Sequence, residues 1–154
     1  MNKTRKPVAK KPVRKPKTKG WYIQSWHIWP DDTIVSVGHT YEDILAIMKR
    51  IGAKASAIRD WECSRDELKE MFATVPKGLA WKGKTSSCTV VWFREYSFSM
   101  DFYDVIVHEV SHLLDFVLNG SRGAINEGEA RAYTNEFLVR SIRQRLGRMF
   151  NFRK

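Results

Sequence analysis

Cysteine is almost absent. Cys63 and Cys88, 25 positions apart and without C-x-x-C spacing, are the whole supply in 154 residues. Two such thiols cannot build a disulfide framework, and they suit a reduced chain, so the expected location is cytoplasmic. No apolar run is long enough for a transmembrane helix. Met1 is followed by Asn, Lys, Thr, Arg and Lys with no apolar stretch, so no signal peptide is expected. Histidine is scarce at four, and there is no acidic residue among the first twenty. No internal repeat is visible, which excludes a solenoid or propeller.

What the chain does have is a hydrophobic fraction of 43%, enough for a real core in one ordinary domain. Its net charge of +10 is unevenly placed. Residues 1–20 hold nine of the 27 basic side chains, while the other 134 residues carry 18 basic against 17 acidic groups. The expected organisation is a basic arm over 1–20 and a single domain over 21–154. Prolines at 7, 12 and 16, like-charge repulsion and the lack of anything to bury predict that the arm is disordered. Its action would be electrostatic: nine cations condense on nucleic acid with strong salt dependence and little sequence preference. An acidic protein surface, an anionic membrane or an import receptor would attract the same charges, and a solubilising tail needs no partner at all. Nucleic acid is the preferred partner, and no membrane is expected.

From Trp21 the composition changes abruptly. WYIQSWHIW reads as a strand, Pro30-Asp31-Asp32 as a turn and Thr33–Val37 as the second arm of a hairpin. Thr40 can cap a helix from Tyr41 to Ile51, with Ile44, Leu45, Ile47, Met48 and Ile51 apolar and Gly52 as its stop. Ser64 with Glu67 forms a capping-box pattern for a helix over Arg65–Thr74, closed by Pro76. Lys77–Ser87 reads as a connection rich in Gly and Lys. Cys88–Phe93 (CTVVWF) is the strongest strand signal. Residues 101–118 and 126–146 are helices by pattern. Strands and helices mixed without a βαβ rhythm indicate an α+β fold.

The chemical centre is His108-Glu109-Val110-Ser111-His112, an H-E-x-x-H inside the first of those two helices. Positions four apart stack on one helical face, so both imidazoles point the same way and can grip one ion, Zn2+ by donor type. Glu109 lies about 100° round the helix from His108. There its carboxylate can take a proton from a water that the ion activates. Zinc in a catalytic site usually has three protein ligands, with a fourth place kept open. The next helix offers Glu127 and Glu129, 15 and 17 positions beyond His112 and about 200° apart, so at most one faces the metal. Glu129 is preferred, sharing its face with Ala132, Tyr133, Glu136 and Phe137. Glu127 stays open as the alternative, although an acid at a helix start also serves the macrodipole.

HEVSH followed by Glu129-Ala130-Arg131-Ala132-Tyr133 resembles the gluzincin branch of the zincin metallopeptidases, most nearly the small phage- and prophage-encoded minigluzincins, in which HExxH precedes an E-x-x-A-Y helix. Gly123-Ala124-Ile125-Asn126-Glu127 is instead similar to the thermolysin-like GAINE, which would make Glu127 the ligand. The resemblance covers about residues 86–147. It implies a small zincin-like domain, with an antiparallel sheet packed on the HExxH helix and a C-terminal helix. It also implies a zinc-dependent peptidase with His108, His112 and Glu129 on the metal and Glu109 as general base. The strand over 88–93 would be the edge along which a peptide substrate pairs. Tyr133 is the candidate electrophile for the oxyanion, although its spacing also suits a core aromatic. The separate downstream Tyr or His pair of larger family members is missing.

The remaining singular residues have structural readings. His27, in an aromatic strand, and His39, before a helix, lack metal spacing and are expected to pack or cap. Tryptophans 21, 26, 29, 61, 81 and 92 could stack nucleic-acid bases, with core packing as the default. Arg140, Arg143, Arg145 and Arg148 suit the end of a helix, and phosphate contact is open to them. Two functional classes follow: a zinc metallopeptidase, phage or prophage encoded as the resemblance implies, or a non-catalytic nucleic-acid-associated or virion protein that works through its arm and keeps a structural or vestigial zinc site.

Overall fold

The computed structural model describes residues 18–25, 32–75, 77–85, 88–120 and 128–150, with 117–120 and 128–130 described by backbone only. Four strands, β1 (Gly20–Gln24), β2 (Thr33–Val37), β3 (Gly78–Lys82) and β4 (Thr89–Phe93), form one sheet in the order β1-β2-β4-β3. Helices α1 (Tyr41–Arg50), α2 (Ala55–Cys63) and α3 (Arg65–Thr74) cover one face. The long helices α4 (Met100–Gly120) and α5 (Gly128–Phe150) cover the other. The fold is α+β.

Two inner strands explain the strongest sequence signals. β2 and β4 pair in parallel, from Thr33 opposite Thr89 to Val37 opposite Phe93. A strand covered on both faces has no solvent side, so TIVSV and TVVWF read as nearly unbroken apolar runs. Ile34, Val90 and Trp92 point into the α1–α3 layer, while Val35, Val37, Val91 and Phe93 point into the α4–α5 layer. At the start of the pair the hydroxyls of Thr33 and Thr89 meet at 2.7 Å and satisfy each other in the interior. β1 and β3 flank this pair antiparallel to their neighbours, which leaves both at the sheet edges. The sheet is therefore mixed, not antiparallel as expected, because α1–α3 carry the chain back across one face between β2 and the β3–β4 hairpin.

The hairpin of β1 and β2 and the helix after Thr40 form as the sequence indicates. The Thr40 hydroxyl accepts from the Asp43 N–H at 3.2 Å, and the Asp43 carboxylate accepts from the Thr40 N–H at 3.0 Å. Gly52, at φ +69°, takes the left-handed turn that lets the Ala53 N–H reach the Met48 carbonyl. The second capping box does not form. Ser64 already belongs to the junction of α2 and α3, at φ −90° and ψ 13°, so its side chain caps nothing. α2 is the unexpected helix. Its Trp61 is fully buried and stacks on Tyr41, and each of the two donates to the other's carbonyl. Trp21, Trp81 and Trp92 also pack in this layer, which is the core role expected of them. Trp26, Trp29 and His27 lie outside the described residues.

β3 corrects a further expectation. It occupies part of the segment read as a connection, and it, not the 88–93 strand, is the open edge on the side of α4. Near the arm, Lys19 pairs with Asp43 at 2.9 Å; residues 1–17 lie outside the described part, and with them the expectation of disorder there. Among the described residues no helix is long and apolar enough to cross a membrane.

Thr40→Ala is expected to cost about 1 kcal/mol in chemical denaturation. The Thr40 N–H, with the Lys19 ammonium beside it, holds the Asp43 carboxyl down at about 2. The stabilisation that Asp43 gives is thus whole above the ordinary carboxylate range and fades as pH falls toward about 2. An Asp43→Asn variant measured over the same acid range should show a flatter loss of stability than the parent.

Candidate metal centre

α4 is a helix with three different environments around it. Ile106, Val110, Leu113 and Leu114 are buried against the sheet and α5. Val105 and Glu109 lie against β3. His108 and His112 occupy the remaining, exposed side. Their Nε2 atoms stand 3.2 Å apart, with rings 4.7 Å between centroids and nearly perpendicular. Two nitrogens bound to one tetrahedral zinc at its usual bond length stand about 3.3 Å apart. The pair therefore converges at the separation that one such ion requires. Ser111 donates to the His108 carbonyl at 2.6 Å, which turns this small side chain back onto the helix and away from the rings.

Glu109 is withdrawn from solvent, 5% exposed. A side chain on Gly78 would come within 3.0 Å of the Glu109 Cγ and Oε1 and of Val105 Cγ1. The bare glycine is what lets α4 lie this close to the edge strand. The strand's geometry also supplies a donor. Arg94 donates to Lys77 and Gly83 donates to Cys88, so the odd-numbered residues of β3 bond to β4. The N–H of Ala80 then points out of the sheet at the open edge, where the Glu109 carboxylate accepts it. Burial pushes the Glu109 carboxyl above its ordinary range, partly offset by the charge of His108 and by the Ala80 N–H. At the far end of the strand, the Lys82 ammonium donates to the Phe116 carbonyl at 2.9 Å and ties β3 to α4 a second time.

The expected third ligand is not decided by this geometry. Glu127 and the side chain of Glu129 lie outside the described residues, and among the described residues no group of three His, Cys, Asp or Glu side chains forms. An ion pair between Arg131 and Asp115 does hold the start of α5 to α4 one turn beyond His112. Ala132, Glu136 and Phe137, which share a face with position 129 by helical spacing, are exposed. Tyr133 on that face is 71% exposed, about half a turn round from the buried Ile142. It is not a core aromatic, and no described contact joins it to the histidine pair. The reason is the phase of α5, whose apolar side is set by Leu138, Val139, Ile142 and Leu146. His39 behaves as a packing residue: its Nδ1 meets Ser36 Oγ at 2.9 Å and its carbonyl accepts from Trp92.

Sequence reading missed the strand half of this centre. The signal was the alternation in Gly78-Leu79-Ala80-Trp81, small residues on the helix side and large ones on the other.

Gly78→Ala should destabilise the fold by about 1–3 kcal/mol, as overpacking does, and adding Val105→Ala should recover part of it in denaturant titrations. In metal-free protein, Glu109→Gln should raise the melting temperature at neutral pH. A raised folded-state pKa favours the protein below the ordinary carboxylate range and loses that advantage as pH rises, so the gap should close toward pH ~4. Against protein-family models, curated proteins and solved structures, the chain gives no match.

Proposed function

We propose that this chain is a zinc-dependent metallopeptidase of gluzincin type. The observation that carries the reading is the convergence of the His108 and His112 Nε2 atoms at 3.2 Å, with the Glu109 carboxylate beside them between α4 and an open strand edge. The two imidazoles would hold the ion, and a carboxylate from the start of α5, Glu129 or Glu127, would complete the set. Zinc, when bound, supplies Lewis acidity and brings the pKa of a water toward neutrality.

The chain's own residues do the rest. The outward backbone groups of β3 other than the Ala80 N–H, which Glu109 takes, suit main-chain pairing with an extended peptide, which would lay a scissile bond across the exposed face of α4. Glu109 accepts the proton of the attacking water and returns it to the leaving amine. Its raised pKa makes it a stronger base than an exposed carboxylate, and the Ala80 N–H and the Gly78 gap fix where it sits.

Purified protein should bind one zinc per chain, with affinity lost in His112→Ala. Glu109→Gln should keep the zinc but lower hydrolysis of a fluorescence-quenched peptide library by about 10²–10⁴-fold. Zinc-free protein after reconstitution, or full hydrolysis by the Gln variant, would remove the proposal.

A further inference from the structure

Residues 94–99 link β4 to α4, and at the end of this link stand two of the four large apolar side chains that are exposed among the described residues. Phe98 is 77% exposed, and Met100, the first residue of α4, is 69% exposed. Their backbone is anchored. Ser97 donates to Ser99 Oγ at 3.1 Å, and Ser99 Oγ accepts the Phe102 N–H at 3.2 Å. These bonds fix the chain on both sides of Phe98 and hold its ring at the surface.

Phe98 and Met100 line a cavity of about 220 Å³ together with Tyr96, Phe102, Tyr103 and the buried Ile106. Tyr96 lies edge-on to Phe102 at 5.4 Å and stacks on Phe150 at 4.9 Å, so the walls belong to a packed aromatic cluster. The space is below the ~300–1,000 Å³ of clefts that enclose a small molecule, and suits one large side chain. A single charge lines it. Arg143 of α5 lies over the Tyr103 ring, 5.0 Å from centroid to Cζ. No acidic residue lines the cavity. Glu136, two turns back on the same stripe of α5, is taken by Arg140 at 2.6 Å. Among the described contacts Arg143 thus meets no carboxylate, and stacking on a ring leaves its charge in place.

We propose that this cavity docks one bulky apolar side chain of a partner protein, flanked in the partner by an Asp or Glu that pairs with Arg143. Charge complementarity selects the acid, since the planar guanidinium matches a carboxylate with two parallel N–H donors. A chain-terminal carboxylate is the poorer match, because its capture uses a nest of free backbone N–H groups. Here the N–H groups of Phe102 and Tyr103 are already held by Ser99. Tyr103 stands five positions before His108 and about 140° round α4 from it. A guest in the cavity therefore leaves the histidine pair open, and the proposal does not rest on the zinc reading.

The test is an NMR titration of the isotope-labelled full-length protein with the acetylated and amidated peptide Gly-Ser-Gly-Asp-Phe-Asp-Gly-Ser-Gly. The resonances of Phe98, Met100, Tyr103 and Arg143 should shift. Replacing the peptide's Phe by Ala should weaken binding about 10–100-fold, as loss of one buried apolar side chain does. Replacing both of its Asp by Asn should weaken binding about 2–5-fold. Arg143→Gln should make the acidic and amide peptides bind alike, Arg143→Lys should restore part of the difference, and Phe98→Ala should weaken both. Both positions are exposed, so these variants should melt with the parent. His112→Ala should bind like the parent. The proposal is overturned by absence of shifts at millimolar peptide, by equal binding of acidic and amide peptides to the parent, or by binding that neither the Arg143→Gln nor the Phe98→Ala change alters. It is also overturned if phenylacetate, or Gly-Ser-Gly-Phe with a free carboxyl end, binds more tightly than the acidic peptide, or if the parent forms a dimer that Phe98→Ala dissolves.

Discussion

Everything distinctive in the molecule depends on the distance between one helix and one strand. α4 can lie against β3 only because Gly78 has no side chain where Val105 and Glu109 must pass. That contact buries the Glu109 carboxylate, raises its pKa, gives it the Ala80 N–H, and leaves His108 and His112 on the side of the helix that is exposed among the described residues. The Lys82 bond to Phe116 holds the same spacing farther along. Two exposed imidazoles and one sheltered carboxylate are obtained from a single helix by giving its sides different neighbours.

The arrangement is held by buried layers on both sides of the sheet. The parallel β2–β4 pair is buried from both faces, and Trp61, Tyr41 and Trp92 fill the layer on the far side from α4. Both faces of the sheet thus carry a buried core, and the histidine side of α4 belongs to neither. The exposed rings on α4 are backed by Ile106, Val110 and Leu113, each fully buried, so the histidines stand on a firm base without contributing to the core themselves.

Much of this was legible in the amino-acid order, for identifiable reasons. The α1 cap, the inner strands and both long helices are written in local patterns: Thr40 with Asp43, unbroken β-branched runs, and apolar residues at helical spacing. The H-E-x-x-H motif is local as well, since i and i+4 share a face in any helix. What escaped was non-local. β3 is short and rich in Gly and Lys, and its strand character comes from pairing with β4 and from accommodating α4. The parallel pairing of β2 with β4 depends on how three helices return the chain, which no window of sequence states. Tyr133 is exposed, not the core aromatic that its spacing suited, because the residues that fix the phase of α5 lie farther along it, at Leu138 to Leu146. Ser64 could not cap because a helix that the pattern did not announce precedes it.

The strand order carries one more consequence. β1 and β3 terminate the sheet on opposite sides, three inter-strand spacings or about 14 Å apart. A strand added along β3 would therefore leave the β1 edge untouched, with the whole width of the sheet between them.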